Sequence, residues 1–136
     1  MSPFSLQNHT ADVRLRISGK SLKELFSDAL RGMVTLLSDQ KVADESGEKI
    51  AFNVSAPDAE SLLVDFLNEA LFLMQTHKGL VSTVHFTILN KAHTEGFFFV
   101  TPIQEFAEDI KAATYHDLSI KRQADGSLET TIVFDI

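Results

Sequence analysis

Leu80-Val81-Ser82-Thr83-Val84-His85-Phe86-Thr87-Ile88 is the stretch where the apolar period of this chain switches to two. Val84, Phe86 and Ile88 alternate with His85 and Thr87, the pattern of a strand with one buried face. Upstream lie two segments with helical spacing. The first opens at Ser21-Leu22-Lys23-Glu24, a capping box in which the Ser21 hydroxyl takes the Glu24 amide. Leu22, Leu25, Phe26, Ala29, Leu30, Met33, Val34 and Leu37 then make one stripe, predicting a helix from Leu22 to about Leu37. Pro57-Asp58 starts the second. Its stripe is Leu63, Phe66, Leu67, Ala70, Leu71 and Met74. Leu62, Phe72 and Leu73 widen it, so this helix is expected to be buried over much of its girth and to end at Lys78-Gly79.

The other segments read as strands and turns. Phe4 to Asn8 is a short strand candidate. In Asp12-Val13-Arg14-Leu15-Arg16-Ile17 the apolar residues share one face and Asp12, Arg14 and Arg16 the other. Ser38 to Lys49 is a polar loop, and Ile50, Phe52 and Val54 mark a strand. After Ile88, Asn90 to Gly96 reads as a turn and Phe97 to Val100 as a strand stopped by Pro102. Ile110 to His116 and Leu118 to Arg122 are further candidates. Asp125-Gly126 is a hairpin signal before the last strand, Leu128 to Ile136. The order β-β-α-β-α followed by four or five strands predicts an α+β fold. Two helices would pack on a largely antiparallel, curved sheet or partial barrel.

At 136 residues the chain is expected to form one domain, residues 1–136. Such a chain buries roughly 68 % of the surface it exposes unfolded. Its 44 % hydrophobic and 23 % charged residues exclude a disordered chain. No cysteine is present, which excludes disulfides, thiolate metal sites and a cysteine nucleophile and suits the cytoplasm. Twelve basic against 19 acidic residues give a charge of −7, against a broad basic nucleic-acid face. The first residues lack the pattern of a secretory signal, and no run approaches the length of a membrane span. The six glycines are dispersed, without a P-loop, dinucleotide fingerprint or nucleophile elbow.

Four groups carry possible chemistry. His9-Thr10-Ala11-Asp12 joins an imidazole, a hydroxyl and a carboxylate at a strand junction. It is either a turn with local side-chain bonds or a metal or phosphate site. Asp135-Ile136 puts a side-chain carboxylate one residue from the α-carboxylate. These anionic oxygens repel unless a cation lies between them, and they suit Ca²⁺, Mg²⁺ or Mn²⁺; the other reading is a solvated end. Lys111-Ala112-Ala113-Thr114-Tyr115-His116-Asp117 is a binding surface or a decorated edge strand, with Lys111, Ala113, Tyr115 and Asp117 on one face. Asp65, Asn68 and Glu69 project from one side of the second helix. They need a partner: Arg14 or Arg16, backbone amides or a ligand. His77, His85 and His93 lack ligand spacing and read as solvated.

In order along the chain, His9 to Asp12, Leu63-Val64-Asp65-Phe66-Leu67-Asn68-Glu69, Ile110 to His116 and Val133-Phe134-Asp135-Ile136 resemble the archease family. The resemblance runs from about His9 to Ile136. It implies a non-enzymatic accessory protein, with no catalytic residues of its own. Such a protein promotes guanylylation and repeated turnover of an RtcB-type RNA ligase in tRNA splicing and RNA repair. It implies a divalent-metal site, most often with calcium, at Asp12, Asp135 and the Ile136 carboxylate. It also implies a functional surface at His9, Thr10, Lys111, Tyr115 and His116. The expected partner is the ligase, with neither stable nucleic-acid binding nor a membrane. Arg14 and Arg16 depart from the smaller or less charged residues expected there. Two other functions fit the same residues. One is a metal-dependent phosphohydrolase with Asp12 and Asp135 as ligands and His9 or His116 as acid or base. The other is a chaperone-like interaction module with a structural ion.

Overall fold

Ser21 sits in extended backbone and its hydroxyl accepts the Glu24 amide at 3.3 Å, while Lys20 N–H donates to Glu24 Oε1 at 3.0 Å. The Ser21 half of the capping box forms, while the Glu24 carboxylate reaches one residue further back, to Lys20 N–H in place of Ser21 N–H; helix α1 (Leu22–Leu37) opens at its expected residue. The computed structural model describes residues 12–136. The strand expected at Phe4 to Asn8 and the site residues His9 and Thr10 lie outside them. Helix α2 (Ala59–His77) is capped by Asp58, whose carboxylate accepts Ser61 N–H at 2.7 Å and is thereby held below the usual carboxylate range. The helix ends at Lys78, which takes the left-handed conformation (φ 50°) in place of the neighbouring glycine. Gly79 instead starts the next strand, where a Cβ would meet Thr101 O at 2.7 Å.

Strands β1 (Asp12–Gly19), β2 (Glu48–Ser55), β3 (Gly79–Leu89), β4 (His93–Pro102), β5 (Ala112–Thr114), β6 (Lys121–Arg122) and β7 (Leu128–Asp135) complete the order. The α+β architecture with antiparallel strands is as expected, and the strands divide between two open sheets. In one, β4 lies between β2 and β3. In the other, β7 is central, with β1 on one side and β5 and β6 on the other. A shared apolar core joins them to the helices, with α2 buried over much of its girth as its composition predicts, although Phe72, expected to widen the buried stripe, is exposed. Its centre is a cluster of five aromatic rings. Phe66 of α2 lies 5.4 to 5.6 Å from Phe26, Phe52, Phe86 and Phe98, and Phe52 stacks on Phe98 at 4.4 Å.

Three boundaries differ from expectation. Asn90 to Gly96 is not all turn. Asn90 Oδ1 accepts both Ala92 N–H and His93 N–H at 2.9 Å, closing the turn by His93. Gly96 lies inside β4, because β3 is irregular between Phe86 and Ile88 and a Cβ at 96 would meet His85 O at 1.9 Å. Ile110 to His116 narrows to three residues of strand, since the chain reverses at Asp117 (φ 52°) and Leu118 N–H returns to Tyr115 O. Leu118 to Arg122 narrows to two, because Ile120 N–H goes to Glu60 Oε2 of α2 at 3.2 Å.

Candidate metal centre

The antiparallel register sets Asp12 of β1 directly opposite Asp135 of β7, and Ala112 of β5 opposite Asp135 on its other side. Opposed residues share a face of the sheet, with Cβ atoms about 4.5–5.5 Å apart. Here that face is the outer one. Asp12 and Asp135 are exposed, whereas the next pair inward includes the fully buried Phe134. Like charges in opposed positions destabilise a sheet. The family resemblance adds the Ile136 α-carboxylate as a third anionic group beside them. This all-oxygen donor set fits a hard divalent cation. Among the described residues no group of three or more His, Asp or Glu side chains is placed to hold an ion.

Arg14 and Arg16 stand on the same face. Arg16 is engaged, its Nε 3.0 Å from Glu129 Oε2. Arg14 is exposed and faces Val133, two positions along from the aspartate pair. No ion pair of Arg14 occurs among the described residues.

The carboxyl end is held through a strap, residues 110–120, that runs beside α2. Lys111 N–H donates to Asp135 O at 2.8 Å. Asn68 Nδ2 donates to Ala113 O at 3.0 Å, and its Oδ1 accepts Ala113 N–H at 2.8 Å. Gln75 Nε2 donates to Ile110 O at 3.0 Å. Asp65 accepts the Tyr115 hydroxyl. The partner of the Asp65–Asn68 group is thus the strap, not Arg14 or Arg16. Because β5 is so short, Lys111, Ala113, Tyr115 and Asp117 do not share a face. Ala113 is buried beneath α2, while Lys111, Tyr115 and Asp117 are exposed. His116, also exposed, places Nε2 3.1 Å from Asp117 Oδ2.

The bond to Asp65, reinforced by partial burial and by the negative charges of Asp65 and Asp58, raises the Tyr115 hydroxyl to about 12. Tyr115 is the only tyrosine. An ultraviolet titration of the intact protein should therefore show one phenolate transition near pH 12, moving toward 10 in Asp65→Asn. A wild-type transition near 10 would break the assignment. The folded value lies above the unfolded one, so this bond's contribution to stability is complete below about pH 10 and lost as pH rises through about 12.

The fold also brings together three polar side chains that lie far apart or unpaired in sequence. His93, expected to be solvated, bridges Ser55 Oγ and Glu95 Oε2, each at 2.6 Å. The Ser55–His93 pairing of β2 with β4 creates it, and no local spacing signals that pairing. It has the connectivity of a hydroxyl–imidazole–carboxylate relay. The adjacent Ala56 N–H is already given to Ala92 O at 2.9 Å and does not serve as an oxyanion donor.

The profile of the Archease protein family (MTH1598/TM1083) matches residues 4–136. The chain belongs to the archease family. It is 31 % identical to "Protein archease" of Methanosarcina acetivorans, over 98 % of this chain and 95 % of that one. It is 32 % identical to the Pyrococcus furiosus archease over the full length of both. The solution structure of protein 1598 of Methanobacterium thermoautotrophicum superposes with a TM-score of 0.73 at 25 % identity, covering 96 % of each chain. The crystal structure of a Thermotoga maritima archease, described as a possible chaperone, also gives 0.73, at 24 % identity over 100 % of this chain and 99 % of that one. That similarity bears on the fold alone. The archease fold here contains no helix, among the described residues, long and apolar enough to cross a membrane.

Proposed function

We propose that this chain is a cytoplasmic accessory protein that activates an RtcB-type RNA ligase, promoting its guanylylation and repeated turnover in tRNA splicing and RNA repair. The observation that carries this reading is the opposition of Asp12 and Asp135 across β1 and β7, beside the Ile136 carboxylate. It supports a divalent-metal site, calcium first and magnesium or manganese next, at the residues that the family resemblance implies. Bound there, the ion would neutralise the clustered carboxylates and present a hard cation to a partner. Lys111, Tyr115 and His116 flank this end on the strap and form the rest of the proposed contact surface, with His9 and Thr10 proposed from the sequence alone. The −7 charge favours encounter with a basic, RNA-binding enzyme, so the chain works on RNA through its partner and without a catalytic residue of its own.

The test is guanylylation of a cognate ligase with GTP, with and without this protein. Stimulation at sub-stoichiometric amounts, lost in Asp12→Ala, is expected. Absence of stimulation would overturn the accessory role, and nucleotide turnover by this protein alone would favour the phosphohydrolase reading.

A further inference from the structure

We propose that Asn68 is a positioning residue for the carboxyl-terminal metal site, acting from α2 through Ala113 and strand β5. This rests on the metal reading above. In an antiparallel ladder, alternate residues turn both N–H and C=O away from the neighbouring strand. Ala113 does so, with Ala112 and Thr114 on either side of it in the register with Asp135 and Val133. Its outward N–H and C=O both go to one side chain, the Asn68 amide. Asn68 therefore takes the place of the next strand, offering a donor and an acceptor as a peptide group would. Ala113 is 4 % exposed, so water is a poor substitute, and unpaired backbone groups there are costly.

The consequence passes to the metal end in two steps. Strand β5 has three residues, too few to hold position by its own pairing. It is nevertheless the outer neighbour of Val133, Phe134 and Asp135, and Lys111 N–H just before it ties Asp135 O. Releasing Asn68 frees β5, and with β5 the side of β7 that carries Asp135 and the terminal carboxylate. Asn68 thus supports the proposed metal donors at one remove, through β5; in known metal sites removing a direct outer partner weakens binding about 10–100-fold. The residue type is specific. Asp at 68 keeps the acceptor for Ala113 N–H but sets a carboxylate against Ala113 O, and Ala provides neither.

The experiment measures Ca²⁺ affinity by titration calorimetry and amide hydrogen exchange of the metal-free protein, for wild type, Asn68→Ala and Asn68→Asp. Phe52→Leu, in the other sheet, serves as a control for general loss of stability. Expected are an affinity at least about 10-fold weaker in both Asn68 variants, Lys111 N–H exchange faster by about the same factor, and near-wild-type affinity in Phe52→Leu. Affinity within twofold of wild type in either folded Asn68 variant overturns the proposal, as does an equal loss in the control. Should Asn68→Ala not fold, Asn68→Asp decides. If wild type itself binds no divalent cation, the metal reading fails. The link from Asn68 to the carboxyl end then stands or falls on Lys111 exchange alone.

Discussion

Asp135→Asn is expected to weaken divalent-metal binding more than about 100-fold while slightly raising the melting temperature of the metal-free protein. Both signs follow from the register that opposes Asp12 to Asp135. In the metal-free state the two carboxylates repel across the ladder. Removing one charge returns up to about 1 kcal/mol, the scale of cross-strand pair energies, and less at high salt. With metal present the balance reverses. At the proposed site one of three anionic donors would be lost, which should cost more than the 10–100-fold typical of outer partners. Asp12→Asn should behave alike, because the pair is symmetric across the strands. Appending one residue after Ile136 moves the α-carboxylate and leaves both side chains intact, so it should lose affinity without the gain in metal-free stability. Calorimetric titration with Ca²⁺, paired with melting curves with and without the ion, reads both signs. Binding as tight as wild type in Asp135→Asn would remove these residues from any metal site.

Phe66→Ala should produce the largest loss of stability of any single change considered, about 3–5 kcal/mol. Phe66 is fully buried and its ring contacts four others from α1, β2, β3 and β4, so the cavity would open where both helices meet that sheet. Neighbouring rings are rigid and cannot collapse into the space, which places the cost in the upper part of the range. The melting temperature should fall on the order of 10 °C. Phe72→Ala, one helix face away and 60 % exposed, should cost little by comparison. Equal effects for the two would mean that the aromatic cluster is not the centre of the core.

The parts of this fold legible in sequence are those with local causes. Ser21 and Leu37 bound α1 because capping and the apolar stripe both act within a few residues. Strand β7 reads clearly because buried and half-buried positions alternate from Leu128 to Ile132. Gly96 was misleading for a definite reason. Glycine is common in turns, but here its missing side chain admits the His85 carbonyl from a neighbouring strand. The length of β5 was hidden because the groups that end it, Asn68, Glu60 and the turn at Asp117, lie on other elements or depend on backbone reversal. At the candidate site, Asp12 and Asp135 could each be marked as strand-end carboxylates. Their opposition is a long-range pairing that only the fold supplies. The same holds for Tyr115 on Asp65, where the helix cluster was visible and its partner was not.

The central position of β7 also sets an order of events. The sheet of β2, β4 and β3 and both helices are complete in the chain by Pro102, so their core can condense as soon as that stretch is made. Among the described strands β1 emerges first and finds its neighbour in β7, as Arg16 and Glu129, 113 positions apart, illustrate. Closing so long a loop is slow, and until then β1 carries an open edge. During synthesis the opposed aspartates come together only in the closing step, so a chain halted before β7 would lack Ile132 and Phe134 of the core and have no paired carboxylates to offer a partner.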